Sequence, residues 1–273
     1  RIVLAKLPGN LAISSVGACA LFAAASGSSV ATSSAMARIA TPEMLKVGYD
    51  KGLATGVIAA SGTLGSLIPP SILMILFGVA ANVPVGALFL AGVIPGVLSA
   101  LMYAGMIMTR SILKPEIAPR ADERYSVQDF LTALWKIWPL PTLVMIVIGG
   151  IFFGFFSPTA AGAIGAFFAL VIAFATGKYS LKLLADSSYK ALEGTASIFV
   201  IMIGTDLLTR MLAISGLPDQ LTELVIGNNL GPIEFVLAVG VVYLILGMFI
   251  DSIGILLLTL PLIVPIMDSM DMN

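Results

Sequence analysis

The stretch AAASGSSVATSSA, Ala23 to Ala35, sets six hydroxyl side chains (Ser26, Ser28, Ser29, Thr32, Ser33 and Ser34) and Gly27 into an otherwise oily chain. An unsatisfied polar group is expensive in lipid, so such a cluster needs partners or a purpose. Around it, Lys6 precedes the apolar run and Arg38 follows it. Basic residues mark the cytoplasmic side of a membrane, so both ends of the run belong on that side. The run from Pro8 to Ala40 is therefore not one span. It is a hairpin that enters and turns back, with its tip at Ser26-Gly27-Ser28-Ser29. Non-helical backbone at membrane depth survives only where it lines a cavity or is buried in protein.

The composition makes the membrane setting secure. Of 273 residues, 59% are hydrophobic and 11% charged, against about 25% charged in soluble domains. Mean hydropathy is +1.06. A net charge of −1 argues against nucleic acid as a partner. There is no histidine, which removes Ser-His and Cys-His nucleophile pairs and imidazole metal ligands. The lone Cys19, in an apolar segment, reads as a packing residue. Arg1 opens directly into RIVLAKLPGN with no signal peptide, so the chain reads as an internal fragment of something longer.

Two long stretches, Gly52 to Thr109 and Ile137 to Gly177, carry no charge, and each is long enough for two membrane crossings. Between them, Val127, Phe130, Leu131 and Leu134 at helical spacing predict an amphipathic surface helix over 126–136. Lys178 to Lys190 reads as a second, shorter one. Trp135 and Trp138 look like an interfacial anchor, and the Met-rich stretch Leu101 to Met108 like lipid-facing or packing surface. After Arg210 there is no Lys or Arg at all, so the acidic segment Gly216 to Gly231 faces the opposite side. Asp206 and Arg210, four apart in an apolar segment, can neutralise each other.

Near the end a similar pattern returns. Pro232 opens an apolar run that breaks at FIDSIG, Phe249 to Gly254, and continues through Pro261 and Pro265. The first hairpin is flanked by basic residues and the second by acidic ones. Two such hairpins entering from opposite faces predict an inverted-topology repeat, a transporter architecture. A third feature is GVIAASGTLGSLIPPSILMILFGV, Gly56 to Val79, where Gly62, Gly65, Pro69 and Pro70 predict a discontinuous helix. Ser61, Thr63, Ser66 and Ser71 surround its break. Hydroxyl and carbonyl oxygens without nitrogen or sulfur ligands suit a hard cation such as Na⁺, and the helix N-termini leaving each break suit a carboxylate. Asp251 is an acidic group at the second tip with no Lys or Arg nearby in sequence. A bound cation would offset its cost; the simpler reading is a water-exposed turn cap.

SGSSVATSSA, PEMLKVGYDKG, ASGTLGSLIPPSI and LFLAGVIPG, followed by FSPTAAGAIGAFFAL and GMFIDSIGILLLTLPLIVPI, resemble the large membrane subunit of tripartite ATP-independent periplasmic (TRAP) transporters. The resemblance runs over the whole chain. It implies an all-α integral membrane fold of the elevator type, with inverted repeats, re-entrant helical hairpins and a discontinuous transmembrane helix. In that plan residues 1–80 hold the first hairpin (about 8–40) and the broken helix (52–80) of the transport domain. Residues 81–214 supply scaffold and connecting helices, with cytoplasmic amphipathic segments, and 215–273 a second hairpin of a truncated repeat.

The implied activity is Na⁺-coupled uptake of a carboxylate-bearing organic acid, with no enzymatic chemistry and no cofactor beyond Na⁺ as coupling ion. The implied partners are a small membrane subunit and a periplasmic substrate-binding protein, in the inner membrane of a bacterium or archaeon. Carried onto this sequence, the Na⁺-binding residues would be Ser26, Gly27, Ser28, Ser61, Gly62, Thr63, Gly65 and Ser71, with Asp251 and Ser252 in another site. Ser28, Ser29, Thr32 and Thr63 would bind substrate. Ala160 departs from the family, which usually has an acidic residue after the Pro-Thr of FSPTAAGA. Competing readings are a Na⁺-coupled anion symporter of the same hairpin plan without a binding protein, an intramembrane protease, and a passive channel.

Overall fold

The computed structural model describes residues 7–119, 132, 135, 137–227 and 231–270, and among these the regular structure is entirely helical. Lys6 and the surface helix expected over 126–136 fall outside the described residues, apart from Thr132 and Trp135. The chain divides into two compact units. One comprises Arg1–Met74 and Pro84–Lys178, the other Ile75–Val83 and Tyr179–Asn273.

In the first unit, α1 (Asn10–Ser26) and α2 (Ser29–Lys46) form the expected hairpin. Pro42 does not end α2 but lies inside it, so the second arm runs six residues past Ala40 to Lys46. The broken helix follows as α3 (Lys51–Gly62), the single turn α4 (Leu64–Leu67) and α5 (Ile72–Ala80), which belongs to the second unit from Ile75 on. It stops at Ile68, which is extended, as the residue before a proline prefers, and Pro69 and Pro70 have no N–H to continue a helix. α6 (Val85–Leu113), α7 (Pro139–Phe152) and α8 (Pro158–Ala175) complete the unit. α7 has only 14 residues, short of a full crossing, so the uncharged stretch 137–177 holds one helix of spanning length rather than two.

The core of this unit lies among α1, α2, α3 and α6, where Val16, Cys19, Met44, Ile58, Leu64 and Ile107 are buried. At the hairpin base Tyr49 Oη lies 3.5 Å from Asn10 Oδ1, and Asp50 accepts the Leu53 N–H at 2.9 Å to cap α3. Within the Leu101–Met108 stretch Leu101 and Met102 are exposed, as expected of a lipid-facing surface, whereas Tyr103 packs toward the core.

In the second unit α9 runs unbroken for 35 residues, Leu181–Ser215, capped by the Ser180 hydroxyl on the Leu183 N–H. Lys178–Lys190 is therefore not a separate short helix but the entry to a long one. No proline interrupts it, and at about 1.5 Å per residue its length exceeds a hydrocarbon core of about 30 Å, so its polar first turns lie beyond the apolar span. None of its side chains is buried, which suits lipid rather than water. The acidic segment 216–231 contains a helix, α10 (Leu217–Gly227). α11 (Pro232–Leu246) and α12 (Ser252–Ser269) are the arms of the second hairpin, joined by a 2.6 Å hydrogen bond between the Tyr243 and Thr259 hydroxyls. Among the described residues, five helices are long and apolar enough to cross a membrane, counting α3–α5 as one.

Candidate functional site at the first hairpin tip

The tip is made by two residues with opposite backbone needs. Gly27 sits at φ +63°, a left-handed conformation that suits glycine, and its N–H closes α1 on the Ala23 carbonyl at 2.8 Å. Ser28 is extended and caps α2, its Oγ accepting the Ala31 N–H at 3.3 Å. Thr32 is wholly buried one turn on; its hydroxyl donates to the Ser28 carbonyl at 2.7 Å and lies 3.0 Å from Ser26 Oγ. Ser29 is half-buried at the first position of α2, and its hydroxyl has no hydrogen-bond partner among the described residues.

This tip rests on the break of the α3–α5 helix. A Cβ added at Gly65 would lie 2.6 Å from the Ser28 carbonyl carbon and oxygen and 2.7 Å from the Ser29 nitrogen. One added at Gly27 would lie 2.7 Å from the Pro70 carbonyl oxygen. Backbone meets backbone at both points, and the Ile72 N–H at the start of α5 donates to the Gly27 carbonyl at 3.1 Å. One turn further along α2, Ser33 packs against Gly62, a close contact of small residues.

The break itself is stapled by its own hydroxyls. Thr63 donates to the Ala60 carbonyl at 2.7 Å, Ser66 to Thr63 at 2.7 Å and buried Ser71 to Ser66 at 2.8 Å. Ser61 differs from these. Its hydroxyl is fully buried and has no hydrogen-bond partner among the described residues, a costly state in a protein interior. The sequence-predicted residues Gly27, Ser28 and Ser29 are thus brought against Gly65 and the Pro70–Ile72 exit of the break, while Ser26 and Thr32 bond within the tip.

Asp251 and Ser252 belong to the other unit. Asp251 is extended and exposed, and its Oδ2 accepts the Ile253 N–H at 3.1 Å as the cap of α12; Ser252 is exposed beside it. Asp206 and Arg210 form the expected pair at 3.1 Å, beside a cavity of about 410 Å³ lined also by Thr205, Thr209, Pro261 and Pro265. Ala160 offers its N–H to Ser157, which caps α8 at 3.3 Å.

Sequence reasoning missed α6 as the backing of the site. Gly92 faces the Leu67 carbonyl, where an added Cβ would come within 2.8 Å, and Gly96 faces Ile68 at 3.0 Å. The spacing of these glycines in LFLAGVIPG, four apart in an apolar helix, is the signal that could have found this close approach.

A helical membrane chain with a polar hairpin tip packed on a broken helix belongs to the class of proteins that keep irregular backbone inside the bilayer for a binding site. Comparison narrows the class. Residues 2–273 match the family model described as tripartite ATP-independent periplasmic transporter, DctM component, and the chain belongs to that family. It is 36% identical to the C4-dicarboxylate TRAP transporter large permease protein DctM of Vibrio cholerae, over 94% of this chain and 61% of that one. It is 32% identical to the sialic acid TRAP transporter permease protein SiaT of Haemophilus influenzae, over 97% and 43%. To the ectoine TRAP transporter large permease protein TeaC of Halomonas elongata it is 31% identical, over 97% and 62%. The chain thus spans about three fifths of the length of the large permease proteins it matches.

Proposed function

We propose that this chain is part of a secondary transporter that couples uptake of an organic acid to Na⁺, with the first hairpin tip and the α3–α5 break forming one Na⁺ site. The observation that carries this reading is Ser61, a fully buried hydroxyl without a partner on the last turn of α3, next to Gly62, which abuts the hairpin. A bound cation would satisfy it. The other available ligands are oxygens: the hydroxyls of Ser26, Ser28 and Ser71 and the carbonyls at Gly27, Gly62 and Gly65, whereas the Thr63 carbonyl is taken up by Ser66. Such an all-oxygen set fits a hard cation.

The substrate would meet the start of α2, where Ser29 has a proton to offer and the helix end favours negative charge. Thr32 supports the tip from beneath, since its own proton goes to Ser28. Asp251, with Ser252, would hold a second Na⁺. Relatives named for C4-dicarboxylates and sialic acid favour an acid as cargo, while one named for ectoine warns that the cargo varies across the family. The family's tripartite name supports a small membrane subunit and a periplasmic binding protein as partners in the bacterial inner membrane. The matched hairpins favour an elevator motion of inverted repeats. Each second arm even carries a proline at the same register, Pro42 thirteen residues after Ser29 and Pro265 thirteen after Ser252.

The test is uptake of organic acids by the complete transporter in proteoliposomes, with and without an inward Na⁺ gradient and the binding protein. Uptake that requires both is expected. Uptake without the binding protein would favour a simple symporter, and uptake indifferent to Na⁺ would remove the coupling role.

A further inference from the structure

Tyr103 lies on α6, forty residues from Thr63 in sequence, and their hydroxyl oxygens are 3.1 Å apart. The direction of this hydrogen bond follows from proton counting. Thr63 has one hydroxyl proton and spends it on the Ala60 carbonyl at 2.7 Å, so Tyr103 is the donor and Thr63 the acceptor. Thr63 therefore has no proton left for a substrate carboxylate. Its hydroxyl is a joint between α6 and the step from α3 to α4.

The joint sits at one end of a continuous hydrogen-bonded path. The Thr63 carbonyl accepts the Ser66 hydroxyl and N–H, and the Ser66 carbonyl accepts the Ser71 hydroxyl. The next residue, Ile72, donates its N–H to the Gly27 carbonyl at the hairpin tip. Gly92 and Gly96 bring the same helix against Leu67 and Ile68, at the other end of the break. α6 thus holds the break at two places, by close packing at 67–68 and by a single directed hydrogen bond at 63.

We infer that Tyr103 is a positioning residue for the Na⁺ site, aligning the break so that its carbonyls and Ser61 face the tip. This rests on the Na⁺-site reading above. Removing the Tyr103 hydroxyl leaves packing almost unchanged but frees the Thr63 step to reorient, so it should weaken Na⁺ binding more than it slows turnover.

The experiment measures uptake by the complete transporter against Na⁺ concentration for wild type, Tyr103→Phe, Thr63→Ser, Thr63→Val and the Tyr103→Phe/Thr63→Val double variant. For Tyr103→Phe the expected result is a rise of about three- to tenfold in the Na⁺ concentration giving half-maximal uptake, with maximal rate per transporter within about twofold. Thr63→Ser, which keeps a hydroxyl for Tyr103 to donate to, should raise the Na⁺ requirement less than Thr63→Val, and the double variant should be no worse than Thr63→Val alone. A Tyr103→Phe curve that overlays wild type, or one lowered only in maximal rate, overturns the positioning role while leaving the Na⁺ site standing. A wild type without Na⁺ dependence overturns both.

Discussion

The first hairpin turns through Gly27 and Ser28, the second through Gly247 to Asp251, and each second arm begins with a side-chain cap on its own backbone. Beyond that they part. At the first tip Thr32 is wholly buried, Gly27 bonds to Ile72, and the Ser28 backbone presses on Gly65. At the second tip Met248 and Phe249 are 79% and 82% exposed, and among the described residues the cap is the only hydrogen bond to the Asp251 carboxylate. Among the described residues, the backbone of a broken helix meets the first tip, and no such element meets the second.

The sharpest way to break the contrast is to fill the close backbone contact beneath the first tip. Gly65→Ala places a methyl against the Ser28 and Ser29 backbone, which cannot swing aside as a side chain can. We expect loss of uptake and a stability loss of about 1–3 kcal/mol, read by transport and thermal unfolding of the full transporter. Gly240→Ala in the second hairpin, with nothing within 4 Å, should leave both intact.

Asp251 separates charge from capping. Asn caps a helix about as well as Asp, so Asp251→Asn should keep the thermal stability of wild type, while Asp251→Ala loses about 1 kcal/mol. If the carboxylate holds Na⁺, both variants raise the Na⁺ requirement at least tenfold in uptake assays. Equal transport by Asn and wild type would leave Asp251 as a cap alone.

A smaller effect distinguishes serines within the opening cluster. Ser28→Ala removes the α2 cap and should cost about 0.5–2 kcal/mol, with a raised Na⁺ requirement. Ser34, exposed and without a hydrogen bond among the described residues, should change stability by less than about 0.5 kcal/mol when replaced by Ala.

These contrasts mark what was legible in the sequence. The tip at 26–29 and the break between Gly62 and Ser71 could be read because glycine, proline and serine act on the backbone within a few residues of themselves. The Asp206–Arg210 pair was legible for the same reason. Tyr103 was not, because its partner is forty residues away and its neighbours read as lipid-facing surface. The start of α9 within Lys178–Lys190 was hidden because charged residues suggested an element of their own, while the absence of any proline up to Gly216 decided otherwise. Nor could the sequence tell which hydroxyls spend their protons on backbone. That distinction separates Thr63 and Thr32 from Ser29 and Ser61.

The most direct test of a Na⁺ site at the first tip is the labelling rate of a Ser29→Cys variant of the full transporter with a maleimide, in Na⁺ and in K⁺. Cys19 is buried and should contribute little background. A cation held between the tip and the break should draw the two together, so Na⁺ should slow labelling at position 29 several-fold at concentrations that support uptake. Equal rates in Na⁺ and K⁺, from a variant whose uptake is still Na⁺-driven, would contradict the assignment and move the coupling site away from this hairpin.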